Sequence, residues 1–211
     1  MTPPAPLNDP SLEAFRKQLA AIAEKKDRAA LAGLVSKSFF WMGEKDDKAD
    51  KKKPGVDNLA KAIGLDGKDA AEGWETLAGF ASDPTGGPHF ERKGTICAPG
   101  QPQFNDDDFG ALIKATGTEE GDWAYTTQAG LEMRATAQAN SAVVEKLGSH
   151  FVRVMDDEAA QNQQVPMMKI VTPSGKIGYV PADAISPLGS DEMCYAKEGG
   201  AWKIAGFMGS E

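Results

Sequence analysis

The chain has 211 residues, of which 41% are hydrophobic and 26% charged, a composition typical of a folded globular protein and not of a disordered one. Its net charge of −8, from 31 acidic and 23 basic residues, argues against a nucleic-acid partner, because broad binding to phosphates needs a basic face. No apolar run approaches the roughly 20 residues of a membrane-spanning helix. The length suits one large or two small domains.

Helix signals begin near the N-terminus. Asp9 is a good N-cap and Pro10 fits the first helical position. Apolar residues then follow at helical spacing: Leu12, Phe15, Leu19 and Ile22. Asp27 predicts a second N-cap, for a helix over residues 28–37. The large apolar residues 39–42 predict a buried strand or the end of a helix packed in a core.

Three more helices are predicted before residue 120, over residues 56–63, 68–81 and 109–115. A short extended piece is predicted around Ile96. The mixed-charge run 44–53 predicts a solvated loop. Asp106, Asp107 and Asp108 precede the third of these helices, where acidic side chains satisfy free N–H groups and the helix dipole. We therefore interpret them as capping residues and not as a metal site.

From residue 128 onward the period changes from helix-like to strand-like. Leu131 and Met133 alternate with polar residues, as in a half-buried strand. Further apolar clusters and hairpin strands are predicted at 143–147, 151–154, 167–171, 176–180, 193–196 and 201–207. The polar stretch 156–164 predicts a long loop.

Four segments of residues 127–188 form a recognisable pattern: Leu131-Glu-Met-Arg, Val143-Val144 with Leu147-Gly148, Phe151-Val-Arg-Val, and Gly178-Tyr-Val-Pro. Together they resemble a bacterial SH3-like (SH3b) domain. The chain departs from that family in having Met167-Met168 near the place of a usual Trp, and in its longer polar loop. The resemblance implies a small β-barrel that binds cell-wall peptides or protein segments and has no catalytic residues. It also implies a packing role for Tyr179.

Residues 11–43 and 193–207 carry a weaker pattern of a long helix, a short helix, Phe39-Phe-Trp and Trp202-Lys-Ile-Ala-Gly-Phe. These segments resemble the ends of NTF2-like chains, although the middle of the chain lacks the long strands of that fold. The resemblance implies, as an alternative, a small-molecule-binding protein or enzyme with an NTF2-like N-terminal half. It also raises the hypothesis that the last hairpin packs on the N-terminal region and that the barrel is an insertion.

The two cysteines, Cys97 and Cys194, lie too far apart in sequence for a paired-ligand metal motif. Both a disulfide and two independent buried thiols fit their apolar settings. A disulfide would close a long loop, stabilise the fold by roughly 3–5 kcal/mol in the chain-entropy picture, and fit an oxidising compartment. The Pro/Ala-rich first ten residues are typical of a start after a cleavage site. We therefore expect a periplasmic or secreted protein, with a cytoplasmic one as the alternative.

Motifs of known catalytic chemistry are absent from the sequence. His89 and His150 have no neighbours at metal-ligand spacing, so we expect both to be surface or hydrogen-bonded residues. The sequence has no P-loop, nucleophile elbow or dinucleotide fingerprint. We predict no enzymatic activity, no cofactor and no metal, and we expect the four tryptophans to lie in cores.

The sequence thus predicts an α+β protein with four regions. These are a flexible tail over residues 1–8, a mainly helical domain over 9–126, an SH3-like barrel over 127–188 and a terminal hairpin over 189–211. The predicted function is non-catalytic binding of a peptide, a cell-wall fragment or a partner protein in the bacterial envelope. We expect the barrel loops 136–141 and 156–164 to make the contacts; the ligand and the oligomeric state do not follow from the sequence.

Overall fold

The computed structural model describes residues 1–43, 46–68 and 70–209. It contains both helices and sheets, so the protein is α+β. The chain folds as two compact units. We call residues 4–100 and 190–211 the helix–sheet unit, and residues 1–3 and 101–189 the strand-rich unit.

The helices of the described residues are α1 (Pro10–Lys25), α2 (Arg28–Ala32), α3 (Gly55–Ala62), α4 (Ala70–Ser82), α5 (Asp106–Thr116) and α6 (Glu158–Gln161), with 3₁₀ turns at Glu120–Asp122 and Ala182–Ala184. The strands are β1 (Val35–Met42), β2 (Gly87–Pro88), β3 (Thr95–Ala98), β4 (Trp123–Thr126), β5 (Leu131–Arg134), β6 (Val143–Leu147), β7 (Phe151–Met155), β8 (Met167–Val171), β9 (Ile177–Pro181), β10 (Ile185–Pro187), β11 (Glu192–Glu198) and β12 (Ala201–Met208). Residues 44 and 45 of the predicted charged loop, and residue 69 of a predicted helix, lie outside the described residues. Among the described helices, none combines the length and apolarity needed to cross a membrane.

Helix α1 begins where the sequence predicts. Asp9 accepts hydrogen bonds from two backbone N–H groups of the first turn, which satisfies donors that have no partner within the helix. The predicted apolar face is confirmed, since its members are all buried: Leu12, Phe15, Leu19 and Ile22. Arg16 is also buried, and its guanidinium donates to the backbone carbonyl of Asp83.

The helix predicted over residues 28–37 is too long. Helix α2 ends at Ala32, and after a turn β1 begins at Val35. β1 runs parallel to β12, with Val35 opposite Ile204. A short apolar pattern fits a helix and a strand equally well, and here pairing with a strand from the far end of the chain decides in favour of the strand.

The helix–sheet unit contains a five-stranded sheet in the order β1-β12-β11-β3-β2. β1 and β12 are parallel, and the other neighbours are antiparallel. One face of the sheet and the helices form a large core that includes Phe39, Trp41, Tyr195 and Phe207. Phe40 belongs to a separate, smaller cluster. This division follows from the alternation of successive side chains along a strand.

The two cysteines lie in the cluster around Phe40. Cys97 on β3 is directly opposite Cys194 on β11, and both side chains are buried. Their Sγ atoms lie 2.04 Å apart, the bonding distance of a disulfide. The structure therefore has the bonded alternative, which links two neighbouring strands across a sequence separation of 97.

The strand-rich unit contains a seven-stranded antiparallel sheet in the order β10-β4-β7-β8-β9-β5-β6. The predicted closed barrel is not found, because among the pairings of the described residues none joins β10 to β6. The core of this unit includes Leu131 and Met133, which confirms the predicted alternation in β5. Val143 and Val144 on the edge strand β6 are exposed instead of buried.

The segment Gly178-Tyr-Val-Pro belongs to β9, which lies between β8 and β5 in the sheet. A Cβ at Gly178 would lie 2.6 Å from Cγ of Met133 and 2.7 Å from the carbonyl oxygen of Arg134, so glycine permits the close approach of β5 and β9. The hydroxyl of Tyr179 donates a hydrogen bond of 2.8 Å to Asp157. This bond lowers the pKa of the Asp157 carboxyl and raises the pKa of the Tyr179 phenol. Tyr179 thus ties the start of α6 to the sheet.

The first eight residues, predicted as a tail, form backbone hydrogen bonds. Thr2 pairs with Gln103 in both directions, at 2.8 and 2.9 Å, within the strand-rich unit. The N–H of Leu7 donates to the carbonyl of Pro84 at 2.9 Å within the helix–sheet unit.

Candidate binding pocket

Helix α5 lies against β4 and β7 of the strand-rich sheet. It begins at the N-cap Asn105, whose side-chain oxygen accepts from the N–H of Asp108 at 3.0 Å. Phe109 on its first turns is buried, and its ring centroid lies 6.2 Å from that of Trp123 and 4.9 Å from that of Phe151. One aromatic side chain therefore anchors the helix to the sheet.

A cavity of about 540 Å³ lies beside α5, within the size range of small-molecule pockets. We call it the α5 pocket. Its lining belongs entirely to the strand-rich unit. Most of the wall is apolar, and the side chains that form it include Phe104, Phe109, Leu112, Trp123, Phe151 and Val171.

The aromatic walls hold one another in place. Phe104 makes edge-to-face contacts with Phe109 and Phe151, with ring centroids 5.2 and 5.0 Å apart. The indole N–H of Trp123 donates to the hydroxyl of Thr118 at 2.8 Å. Because its polar group already has a partner, Trp123 offers the pocket an apolar ring surface.

Two opposite charges line the α5 pocket. Asp108 on α5 and Arg153 on β7 both contribute to its wall, and both residues are exposed. Within the described residues, neither side chain forms an ion pair or a hydrogen bond. A pocket of this kind has an apolar body and a few polar groups that can orient a ligand.

His150 is a third polar group of the pocket wall. Its backbone N–H donates to the hydroxyl of Thr126 at 3.3 Å. Its Nε2 atom is buried and has no hydrogen-bond partner among the described residues, which differs from the expectation of a surface or hydrogen-bonded histidine.

His89, in the helix–sheet unit, is a hydrogen-bonded residue, as expected. It is 7% exposed, and its Nδ1 accepts from the N–H groups of Glu91 and Arg92 at 3.0 and 3.1 Å. Its Nε2 has no partner among the described residues. Burial, and then the Arg92 charge, lower the pKa of His89 and favour the neutral ring. The ring packs edge-on against Phe40 and does not line the α5 pocket.

The other sequence candidates lie outside the pocket. Neither loop 136–141 nor loop 156–164 contributes a residue to its wall. Asp106 and Asp107 lie inside the first turn of α5, where acidic side chains favour the helix dipole as predicted. The capping residue is Asn105, and the helix begins at Asp106, three residues before the predicted start. In the part of the chain that the structure describes, no group of three or more His, Cys, Asp or Glu side chains is placed to hold a metal ion.

Sequence reasoning missed the pocket because its rings come from separate elements. Phe104 precedes α5, Trp123 lies on β4 and Phe151 on β7. The sequence analysis attributed the tryptophans to cores, and Trp123 is buried. One sequence feature could have indicated the site: Arg153 in Phe151-Val-Arg-Val is two residues from Phe151. In a strand this spacing places a charged and an aromatic side chain on the same face.

Comparisons with known proteins leave the family open. No protein-family model matches the chain, and no curated protein matches it. A solved structure with some similarity is that of a candidate calcium/calmodulin dependent protein kinase II association domain from Xanthomonas campestris. It is 9% identical, the match covers 99% of this chain and 94% of that chain, and the TM-score is 0.29. A TM-score of that size assigns neither a fold nor a function to this protein.

Proposed function

We propose that this protein is a non-catalytic binding protein of the bacterial envelope and that the α5 pocket receives its ligand. The ligand is a peptide, a cell-wall fragment or a segment of a partner protein. The observation that carries the proposal is the pocket itself, about 540 Å³ in volume and walled by aromatic rings that contact one another. Aromatic walls supply large contact area at low conformational cost.

Two features support the envelope setting. The resemblance of residues 127–188 to SH3b domains implies a module that binds cell-wall peptides or protein segments. The bond between Cys97 and Cys194 is of a kind that persists in oxidising compartments and is rare in a reducing cytosol. Both features favour a periplasmic or secreted protein over the cytoplasmic alternative.

The alternative of a small-molecule-binding protein or enzyme with an NTF2-like half is less well supported. The segments that resemble NTF2-like chains are residues 11–43 and 193–207, and neither contributes to the α5 pocket. A deep cavity with convergent acidic residues or His89 would favour that alternative, and His89 does not line the α5 pocket.

The test uses two substitutions on the same helix. Thr116 lines the pocket and Ala111 does not, and both are exposed. Thr116→Tyr places a ring at the pocket mouth, whereas Ala111→Tyr places the same ring on the solvent face of α5. The probes are a digest of purified peptidoglycan and an array of immobilised peptides, each incubated with the full chain.

We expect wild type and Ala111→Tyr to bind members of one probe set and Thr116→Tyr to lose that binding. Circular dichroism and thermal unfolding would establish that both variants are folded. Binding that is equal in both variants would contradict the assignment to the α5 pocket, and failure of wild type to bind either probe set would contradict the binding function.

A further inference from the structure

We infer that the α5 pocket selects an anionic ligand, an aromatic or aliphatic body that carries a carboxylate, and that the Arg153 guanidinium binds the carboxylate. This inference rests on the proposed binding function and specifies the chemistry of the ligand. Among the described side chains of the pocket wall, Arg153 is the one that is positively charged at neutral pH irrespective of its surroundings.

The sheet register aims Arg153 at the pocket. On β7, Arg153 is directly opposite Trp123 of β4 on one side and Val171 of β8 on the other. Directly opposed residues of antiparallel strands lie on the same face of a sheet, and both of these partners line the pocket. Phe151, two residues earlier, lies on the same face by the two-residue period of a strand. The Arg153 side chain therefore lies on the same face of the sheet as the rings of Trp123 and Phe151, which also line the pocket.

No described residue forms an ion pair with Arg153. Arg153 forms neither an ion pair nor a hydrogen bond with the side chains that the structure describes. Its apolar stem can lie along the aromatic wall while the guanidinium reaches the pocket opening. A guanidinium offers parallel N–H donors that match the two oxygens of a carboxylate. A ligand with a carboxylate at the edge of an apolar body fits both parts of this wall.

Asp108 is the competing charge, since it would favour a cationic ligand. It lies in the first turn of α5, where the unpaired N–H groups and the helix dipole already stabilise a carboxylate. Arg153 lies on a strand and has no such compensation. Of the two charges, Arg153 therefore gains more from a ligand of opposite sign.

This chemistry has two sources: a free aromatic acid, or the C-terminal residue of a peptide with an apolar side chain. The first set of probes is 2-naphthoate, 2-naphthamide and 2-naphthylmethylammonium, which share a ring system and differ in charge. The second is the peptide acetyl-Gly-Gly-Phe as the free acid and as the C-terminal amide. Dissociation constants are measured by ¹H–¹⁵N NMR titration of the full chain at fixed salt.

We expect the carboxylate probe of at least one set to bind roughly tenfold more tightly than its amide, a difference of about 1.4 kcal/mol, because hydrogen bonds to charged groups are stronger than those between neutral groups. Arg153→Gln should abolish that preference and leave the dissociation constant of the amide probe unchanged. Arg153→Lys should restore part of the preference. Lys114→Gln, which removes one positive charge from α5 at a residue that does not line the pocket, should retain most of it.

The two probe sets separate the sources. Tighter binding of the peptide acid identifies a chain terminus, in agreement with the proposed function. Tighter binding of naphthoate identifies a free acid and would support the small-molecule alternative, while leaving the role of Arg153 intact. Equal affinity of acid and amide would overturn the inference while leaving an apolar pocket and the proposed function intact. A preference for the ammonium probe would overturn it in favour of Asp108, and a preference that survives in Arg153→Gln would overturn the role of Arg153. If no probe of either set binds, the inference fails, and the capture experiment with Thr116→Tyr then decides separately about the proposed function.

Discussion

Removal of the Cys97–Cys194 bond should destabilise the helix–sheet unit. The size of the loss in free energy of unfolding depends on whether the two units unfold together or separately. The bond constrains the unfolded chain, so breaking it raises the entropy of the unfolded state and lowers the free energy of unfolding. The perturbation is the double substitution Cys97→Ala/Cys194→Ala, or complete reduction of wild type. Alanine avoids leaving an unpaired hydroxyl in the buried cluster around Phe40.

The magnitude depends on the loop that the bond closes. The sequence separation is 97, for which the chain-entropy relation gives about 4.7 kcal/mol at 25 °C when the whole intervening chain is unfolded. Residues 101–189 of that loop belong to the strand-rich unit. If this unit stays folded while the helix–sheet unit unfolds, about ten free residues remain in the loop, and the same relation gives about 2.7 kcal/mol.

Urea unfolding followed by far-UV circular dichroism and tryptophan fluorescence, with and without dithiothreitol, measures the difference. Thiol titration in denaturant would establish that reduction is complete. The alanine double variant serves as the control, since its stability should not respond to the reductant. A change below about 1 kcal/mol in fully reduced wild type would refute the loop-entropy reasoning, and a reductant effect of equal size in the control would refute the assignment to this bond.

Three further predictions concern single side chains. In α4, Gly73→Ala should destabilise the protein by about 1–3 kcal/mol, because the new Cβ would lie 2.5 Å from two backbone carbonyl oxygens. Gly79→Ala meets open space and should stabilise the protein by about 0.5–1 kcal/mol. Urea unfolding of both variants measures the sign of each change in the free energy of unfolding. Burial raises the pKa of the Tyr195 phenol from its ordinary value of 10.0, so the stability that the neutral phenol gives below pH 10.0 should be lost as the pH rises above it. Tyr195→Phe should therefore flatten the alkaline fall in the free energy of unfolding, and an unchanged slope would count against this burial effect. Asn105→Ala should cost about 1 kcal/mol because it removes the cap of α5, whereas Asn105→Asp should keep it; equal thermal stability of the two variants would contradict the capping role.

Local signals in the sequence located most elements. Asp9 and Pro10 define the start of α1, and the apolar spacing that follows gives its buried face. The hairpin of β8 and β9 pairs the two strands predicted at 167–171 and 176–180. These features are predictable because capping, helical periodicity and turn formation involve residues within a few positions of one another.

The incorrect predictions concern features that depend on contacts between segments far apart in the sequence. Val35 continues an apolar pattern that suits a helix, but pairing with Ile204 makes it part of a strand. The closed barrel expected for residues 127–188 is an open sheet in the described residues, and α5, from outside that range, lies against it. Strand order and sheet closure depend on contacts between remote residues, which a local pattern does not contain.

By itself, the sequence determined the α+β class, the faces of the helices and the position of the hairpins, because these depend on spacing within one element. Tertiary structure alone decided that Cys97 faces Cys194, since two strands remote in the chain had to become neighbours. It also decided the α5 pocket, whose wall combines the contacting rings of Phe104, Phe109 and Phe151 with Arg153 of β7. A pocket is a property of the space between elements, and that space exists only once the elements have packed.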